Sequence, residues 1–234
     1  PVRYPSSKMT YDLFGKVVSL GDLDWISALG IMSDGAYDVW SEHVDKVAEK
    51  QGIKYRKGEV WKSDLGKAVT VLNRALLYDS KNAPECLEAL ASSKSPRDLI
   101  DSGIRRYKHE IDEEIKRLED DFRMKRRLSE DGKTMYYEFN SPFGVCSTLS
   151  TILGYNYMKP SDNLVVVQVK KDKCVVNLRR NDKKVNLASI ARIAVDGLPD
   201  SSGGGHIPAA GAEIRMEDLP EFKKRILELL SKAE

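Results

Sequence analysis

Through the first 130 positions, apolar residues recur mainly at three- and four-residue spacing, the mark of helices that bury one face. Residues 8–20 place Met9, Leu13 and Val17 on a common face. Asp24 precedes a helix of small and apolar residues, WISALGIMS. Asp38 to Gln51 reads as the next helix, with Val39, Trp40, Val44 and Val47 inward. Another follows from Lys62 to Tyr78, carrying Val69, Val71, Leu72 and Leu76. Two short helices are expected over Pro84–Ala91 and Ser95–Ser102, where Ser95-Pro96 supplies an N-cap followed by a proline at the first helical position. The longest pattern runs from Ile104 to Arg127, with Ile104, Tyr107, Ile111, Ile115, Leu118 and Phe122 along a narrow stripe. Such a helix would be roughly 35 Å long. It suits a connector between two packed units, although a surface helix of one bundle would show the same pattern.

The texture changes after Gly132. Met135–Phe139 reads as an aromatic strand, and Cys146–Leu153 as a helix. Leu164–Lys170 and Cys174–Arg180 are strong strands joined by Lys171-Asp172-Lys173, which predicts a hairpin. Asn186–Ala194 is a helix with an asparagine cap. A glycine- and serine-rich loop, DSSGGGH, comes next. Asp218–Ala233 closes the chain as a helix with Leu219, Phe222, Ile226 and Leu229/Leu230 inward. The expected class is α/β: a mostly helical first part, a long connector, then a mixed-sheet domain.

Composition narrows the chemistry without naming it. The 234 residues include 38 Lys+Arg and 36 Asp+Glu, so a net charge of +2 gives no global pull on nucleic acid. Any phosphate-binding surface must come from local clustering. Lys125-Arg126-Arg127 and Lys183-Lys184 are candidates for such contacts, though solvated charged faces are the commoner meaning of such runs. Cys86, Cys146 and Cys174 are widely spaced and form no metal-ligating pair, so they read as small core residues in a reducing compartment. No membrane span or signal peptide is visible, and a cytoplasmic protein is expected. A start at Pro1 fits methionine removal and an internal boundary equally well.

The most informative stretch is SSGGGHIPAAG, residues 201–211. Three consecutive glycines can take positive φ and leave backbone N–H groups unshielded. Small residues after them would let a helix start, or a backbone pass, close to a ligand, and successive amides near a helix N-terminus attract phosphate. His206 adds a donor that can carry charge near neutral pH. A flexible loop is the plain alternative, but HIPAAG implies a fixed geometry.

GGGHIPAAGAEI is similar to the GGGH-x-x-AAG signature of the DHH-associated domain. The resemblance implies that Gly203, Gly204, Gly205 and His206, with Ala209, Ala210 and Gly211 behind them, bind substrate phosphates. Asn177-Leu178-Arg179 resembles that domain's Ser-x-Arg strand, which would aim Arg179 into the same cleft. Asn177 stands where serine is usual, and its amide retains a donor. Without the glycine segment, Arg179 and Arg180 would read as a solvated strand end.

Residues 23–40, LDWISALGIMSDGAYDVW, resemble the fourth motif of the DHH phosphoesterase domain. This implies Asp34 as a ligand of a Mn²⁺ or Mg²⁺ pair, with Gly30 and Gly35 allowing close approach. A helix-capping role for Asp34 is the alternative. The Asp-x-Asp and Asp-His-His motifs of that family are absent from these residues. Asp22-Leu23-Asp24 is misplaced beside the fourth motif, and His43 and His109 read as helix surface residues. Residues 1–15 are similar to the segment that follows the Asp-His-His motif. The implied organisation is the C-terminal remnant of a DHH catalytic domain at 1–103, a connector at 104–128 and a DHH-associated domain at 129–234. Two functions follow from the resemblance. One is the substrate-binding part of an archaeal-type RecJ-like metal-dependent single-strand phosphodiesterase, inactive alone, holding single-stranded DNA or RNA. The other is an inactive RecJ-like scaffold of the GINS replication complex. Tyr155 and Tyr157 are candidate stacking residues, with a core role as the alternative.

Overall fold

The computed structural model describes residues 4–56 and 58–233. The chain divides between Asp112 and Glu113 into two compact units.

The first unit is helical. Its elements are α1 (Ser6–Phe14), α2 (Asp24–Ser33), α3 (Tyr37–Lys50), α4 (Asp64–Tyr78), α5 (Ala83–Ser92), α6 (Pro96–Ile100) and the first turns of α7 (Tyr107–Lys125). Its core gathers Trp25, Ile31 and Met32 of α2, Val44 and Val47 of α3, Leu65 and Val69 of α4, and Leu99 and Ile104. Ser95 caps α6 as expected, accepting the Asp98 amide with Pro96 at the first helical position.

Three expectations fail here. α1 stops at Phe14, and its supposed inward face is exposed: Met9, Leu13 and Val17 all face solvent, Val17 at 82%. The buried residue of α1 is Lys8, whose ammonium lies over the Trp40 ring and pairs with Asp12. Periodicity identified a helix but not its inward face, because the aliphatic stem of a lysine can bury while its head finds a partner. Val39 and Leu76 are likewise exposed on otherwise inward-facing helices. The long pattern from Ile104 begins as a 3₁₀ turn over Gly103–Arg106, so α7 holds 19 residues and is shorter than expected.

The second unit is α/β. Its strands are β1 (Arg127–Leu128), β2 (Thr134–Phe139), β3 (Asn163–Val169), β4 (Lys173–Arg179), β5 (Ser202–His206) and β6 (Ala209–Arg215). They form a mixed sheet in the order β1-β2-β3-β4-β6-β5. β2 and β3 are parallel, linked through α8 (Cys146–Tyr157), and the remaining pairs are antiparallel. α9 (Leu187–Val195) and α10 (Leu219–Lys232) follow β4 and β6 in the chain. Alternation along the strands sorts the two faces. Cys174, Val176 and Leu178 of β4 and Ala210, Ala212 and Ile214 of β6 are buried with Leu187, Ile190, Ala191, Phe222 and Ile226 of α9 and α10. The intervening residues, Val175, Asn177, Arg179, Ala209, Gly211 and Glu213, face the opposite side and are only half-buried. The three cysteines are buried and unpaired, as expected.

The glycine-rich segment corrects the sequence reading. It is a strand, β5, paired antiparallel with β6, and no helix begins directly after it. Of the two roles open to the small residues after it, a helix start is not what they form: Ala209 and Ala210 belong to the partner strand. β5 is the outermost strand, so among the described residues one row of its backbone N–H and C=O groups has no strand beside it.

Candidate functional site

Cross-strand partners project to the same side of a sheet. The register places Arg179 opposite Ala209, and Ala209 opposite His206. The neighbouring row is Asn177, Gly211 and Gly204. These six residues therefore share the face turned away from α9. With strands about 4.8 Å apart, Arg179 and His206 flank a shelf roughly 10 Å wide whose floor is Gly204, Gly211 and Ala209. That floor carries almost no side chain, which leaves backbone open to a ligand.

The glycines have distinct reasons to be glycine. A Cβ at Gly203 would lie 2.6 Å from the Ala191 carbonyl oxygen, so this residue lets β5 pack on α9. Gly205 has φ +138°, and a Cβ there would lie 2.7 Å from the Ala210 Cα. A Cβ at Gly204 would approach only the Arg192 Nε, at 4.0 Å, so that position is open space on the shelf. Ala210 is buried beneath the sheet and braces it. His206 is exposed at the end of β5.

Arg179 provides the charge. Its Nη2 donates to the Thr151 hydroxyl of α8 at 3.1 Å. Among the described residues its buried Nε has no hydrogen-bond partner, and no carboxylate pairs with the guanidinium. Burial lowers its pKa from the ordinary arginine value, with Cys146 and Tyr155 pulling the other way. The group nonetheless stays protonated near neutral pH. A half-buried cation short of partners is costly, and an anion on the shelf would relieve that cost. The next residue resolves its charge internally. Arg180 is buried and donates through Nε and Nη2 to both carboxylate oxygens of Asp182, at 2.9 and 3.0 Å, and through Nη1 to the Asn163 side chain at 3.2 Å. That pairing, first among its causes, lowers the Asp182 pKa to about 2. Glu213, on the same face as Arg179, is neutralised by Lys173 at 2.8 Å.

Asn177 is half-buried on the shelf side, and the neighbouring Cys146 thiol of α8 donates to the Val175 and Val166 carbonyls at 3.4 and 3.6 Å. Burial raises that thiol to about 11, so it is not a nucleophile at neutral pH. The sequence reading missed Thr151 and Arg192. Thr151 lies on the expected helix Cys146–Leu153, but the observed helix runs on to Tyr157, so its shared face with Tyr155 shows only in the structure.

Residues 134–232 match the family model of the DHHA1 domain. The chain carries a DHHA1 domain over these residues. The shelf lies within its DHHA1 domain. No curated protein matches the sequence. Solved structures match the fold. RecJ from Thermus thermophilus in complex with Mg²⁺ is 17% identical, with 95% of this chain and 36% of that one covered at a TM-score of 0.63. The DHH domain of a member of the s1p family of ribosomal proteins is 17% identical, covering 90% and 50% at 0.59. Exonuclease RecJ bound to manganese is 16% identical, covering 96% and 59% at 0.56. The chain thus spans between 36% and 59% of the length of these structures.

Asp34 is the exposed C-cap residue of α2. Among the described residues, no three His, Cys, Asp or Glu side chains gather into a set able to hold a metal ion. A catalytic metal pair needs several converging ligands, and this donor set does not supply them. His43 is not the surface residue expected: it is half-buried, shares a 2.7 Å hydrogen bond with Ser27 and meets the Tyr11 ring edge-on. Burial, foremost, lowers its pKa. His109 is exposed on α7. Of the basic runs, Lys125 pairs with Asp121, Arg126 lies over the Phe122 ring, and Lys183 and Lys184 are exposed. No described helix is long and apolar enough to cross a membrane.

Proposed function

We propose that the DHHA1 domain grips the phosphate backbone of a single-stranded nucleic acid, DNA or RNA, and that the chain is the substrate-binding portion of a RecJ-like single-strand phosphodiesterase. The carrying observation is Arg179, a half-buried guanidinium without a carboxylate partner among the described residues, beside a side-chain-free floor. A phosphate there would accept from the Arg179 guanidinium and from exposed backbone, with His206 at the far side of the shelf. Single strands suit such a shallow shelf, because their backbone is not held in a duplex groove.

Metal ions accompany the RecJ structures named above. The metal-ligand deficit around Asp34 means that no hydrolytic step is assigned to these residues. The proposed activity of this chain is binding.

Fluorescence anisotropy with a labelled single strand tests the reading. Affinity is expected to fall steeply with salt, and Arg179→Ala is expected to weaken binding and flatten the log–log salt slope by about 0.7. His206→Ala is expected to weaken binding less, since its ring is exposed. Unchanged affinity in both variants would remove the phosphate assignment.

A further inference from the structure

We infer that Tyr155 is a base-stacking residue that makes the shelf a reader of nucleotides rather than of phosphate alone; this rests on the strand-binding reading above. α8 presents Ser147, Thr151 and Tyr155 as an exposed stripe at four-residue spacing. Thr151 holds the Arg179 guanidinium. Tyr155 therefore stands one turn, about 5.4 Å, further along the same helix face. Its ring is 84% exposed and has no hydrogen bond, ring stack or cation contact among the described residues.

Tyr157, two residues on, shows what a structural tyrosine looks like in this helix. Its hydroxyl donates to Glu119 at 2.9 Å and accepts from Arg123 at 2.5 Å, and its ring packs on Phe122 at 5.2 Å. It is committed to α7. Tyr155 is not, and its phenol is near enough to influence the Arg179 charge. A phosphate held at Arg179 would leave its attached base beside an open aromatic face. Stacking of that kind tolerates any base, because every base has a π-face.

The test compares two labelled single strands of equal length, one of deoxyadenylate and one wholly abasic, by anisotropy at low salt. The parent protein is expected to prefer the base-bearing strand by roughly fivefold or more, the lower range for one stacked base. Tyr155→Ala is expected to erase that preference, whereas Tyr155→Phe retains it. Arg179→Ala is expected to weaken both strands alike. A preference that survives Tyr155→Ala, or a parent protein with no preference, overturns the inference and leaves the phosphate site standing. If the parent binds neither strand, the strand-binding reading falls and takes this inference with it. Tyr155 is exposed, so circular dichroism should show both Tyr155 variants folded.

Discussion

The two faces of the second unit's sheet are made by the same strands, read at alternate positions, yet they are built to opposite ends. Towards α9 and α10 the strands present Cys174, Val176, Leu178 and Ile214, all closed off from solvent. Towards the other side, β4 presents Asn177 and Arg179, and β6 and β5 continue with Ala209, Gly211, Gly204 and His206. The first face is made of side chains. Over the ends of its outer strands the second is made of backbone, with the Arg179 cation at the border. The contrast recurs between adjacent residues, since Arg180 is locked into a bidentate pair while Arg179 is left short of partners. Stability and ligand binding are thus carried by interleaved positions, and a substitution should affect one or the other according to its parity.

Leu178→Ala should break the closed face most severely, costing about 3 kcal/mol in chemical denaturation. Acid attacks the same fold through Asp182. Its folded pKa lies near 2, against an ordinary 3.8, so its stabilisation is full above that ordinary value and lost as pH falls towards 2. This contribution amounts to about 2 kcal/mol and should vanish from the acid limb of the stability profile in Asp182→Asn. Gly203→Ala should cost about 2 kcal/mol, because the new methyl meets the Ala191 carbonyl. On the open face, Arg179→Ala should remove about 1.5 kcal/mol of strand affinity and leave the melting temperature unchanged or raised. Gly204→Ala should change stability by no more than about 0.5 kcal/mol, although it places a methyl on the shelf and should weaken strand binding. Equal thermal losses for Gly203→Ala and Gly204→Ala would sink the distinction between the faces.

Much of this unit was legible in the sequence because β3 and β4 are rich in valine and its caps conventional: the β3–β4 hairpin, the Asn186 cap and α10 stand where the pattern put them. β5 was not, since Ser202 to His206 has no strand propensity of its own. It is a strand because β6 pairs with it and α9 tolerates its lack of side chains, which are tertiary facts. The site residues Arg179, Gly204, Gly211 and His206 were named by motif, but that they share a face emerged only from the register. In the first unit the buried Lys8 and the exposed Met9 and Leu13 reversed the reading of α1, because amphipathic spacing does not say which side meets a neighbour.

The glycine floor gives this domain an unusual pattern of fragility. At Gly204 and Gly211 every replacement adds atoms, so those positions fail by obstruction. Arg179 is the reverse case, where most replacements subtract, and failure there is by deprivation. Genetic suppressors should respect that division: damage at the floor would be repaired by shrinking a neighbour, and damage at the arginine only by supplying a new cation.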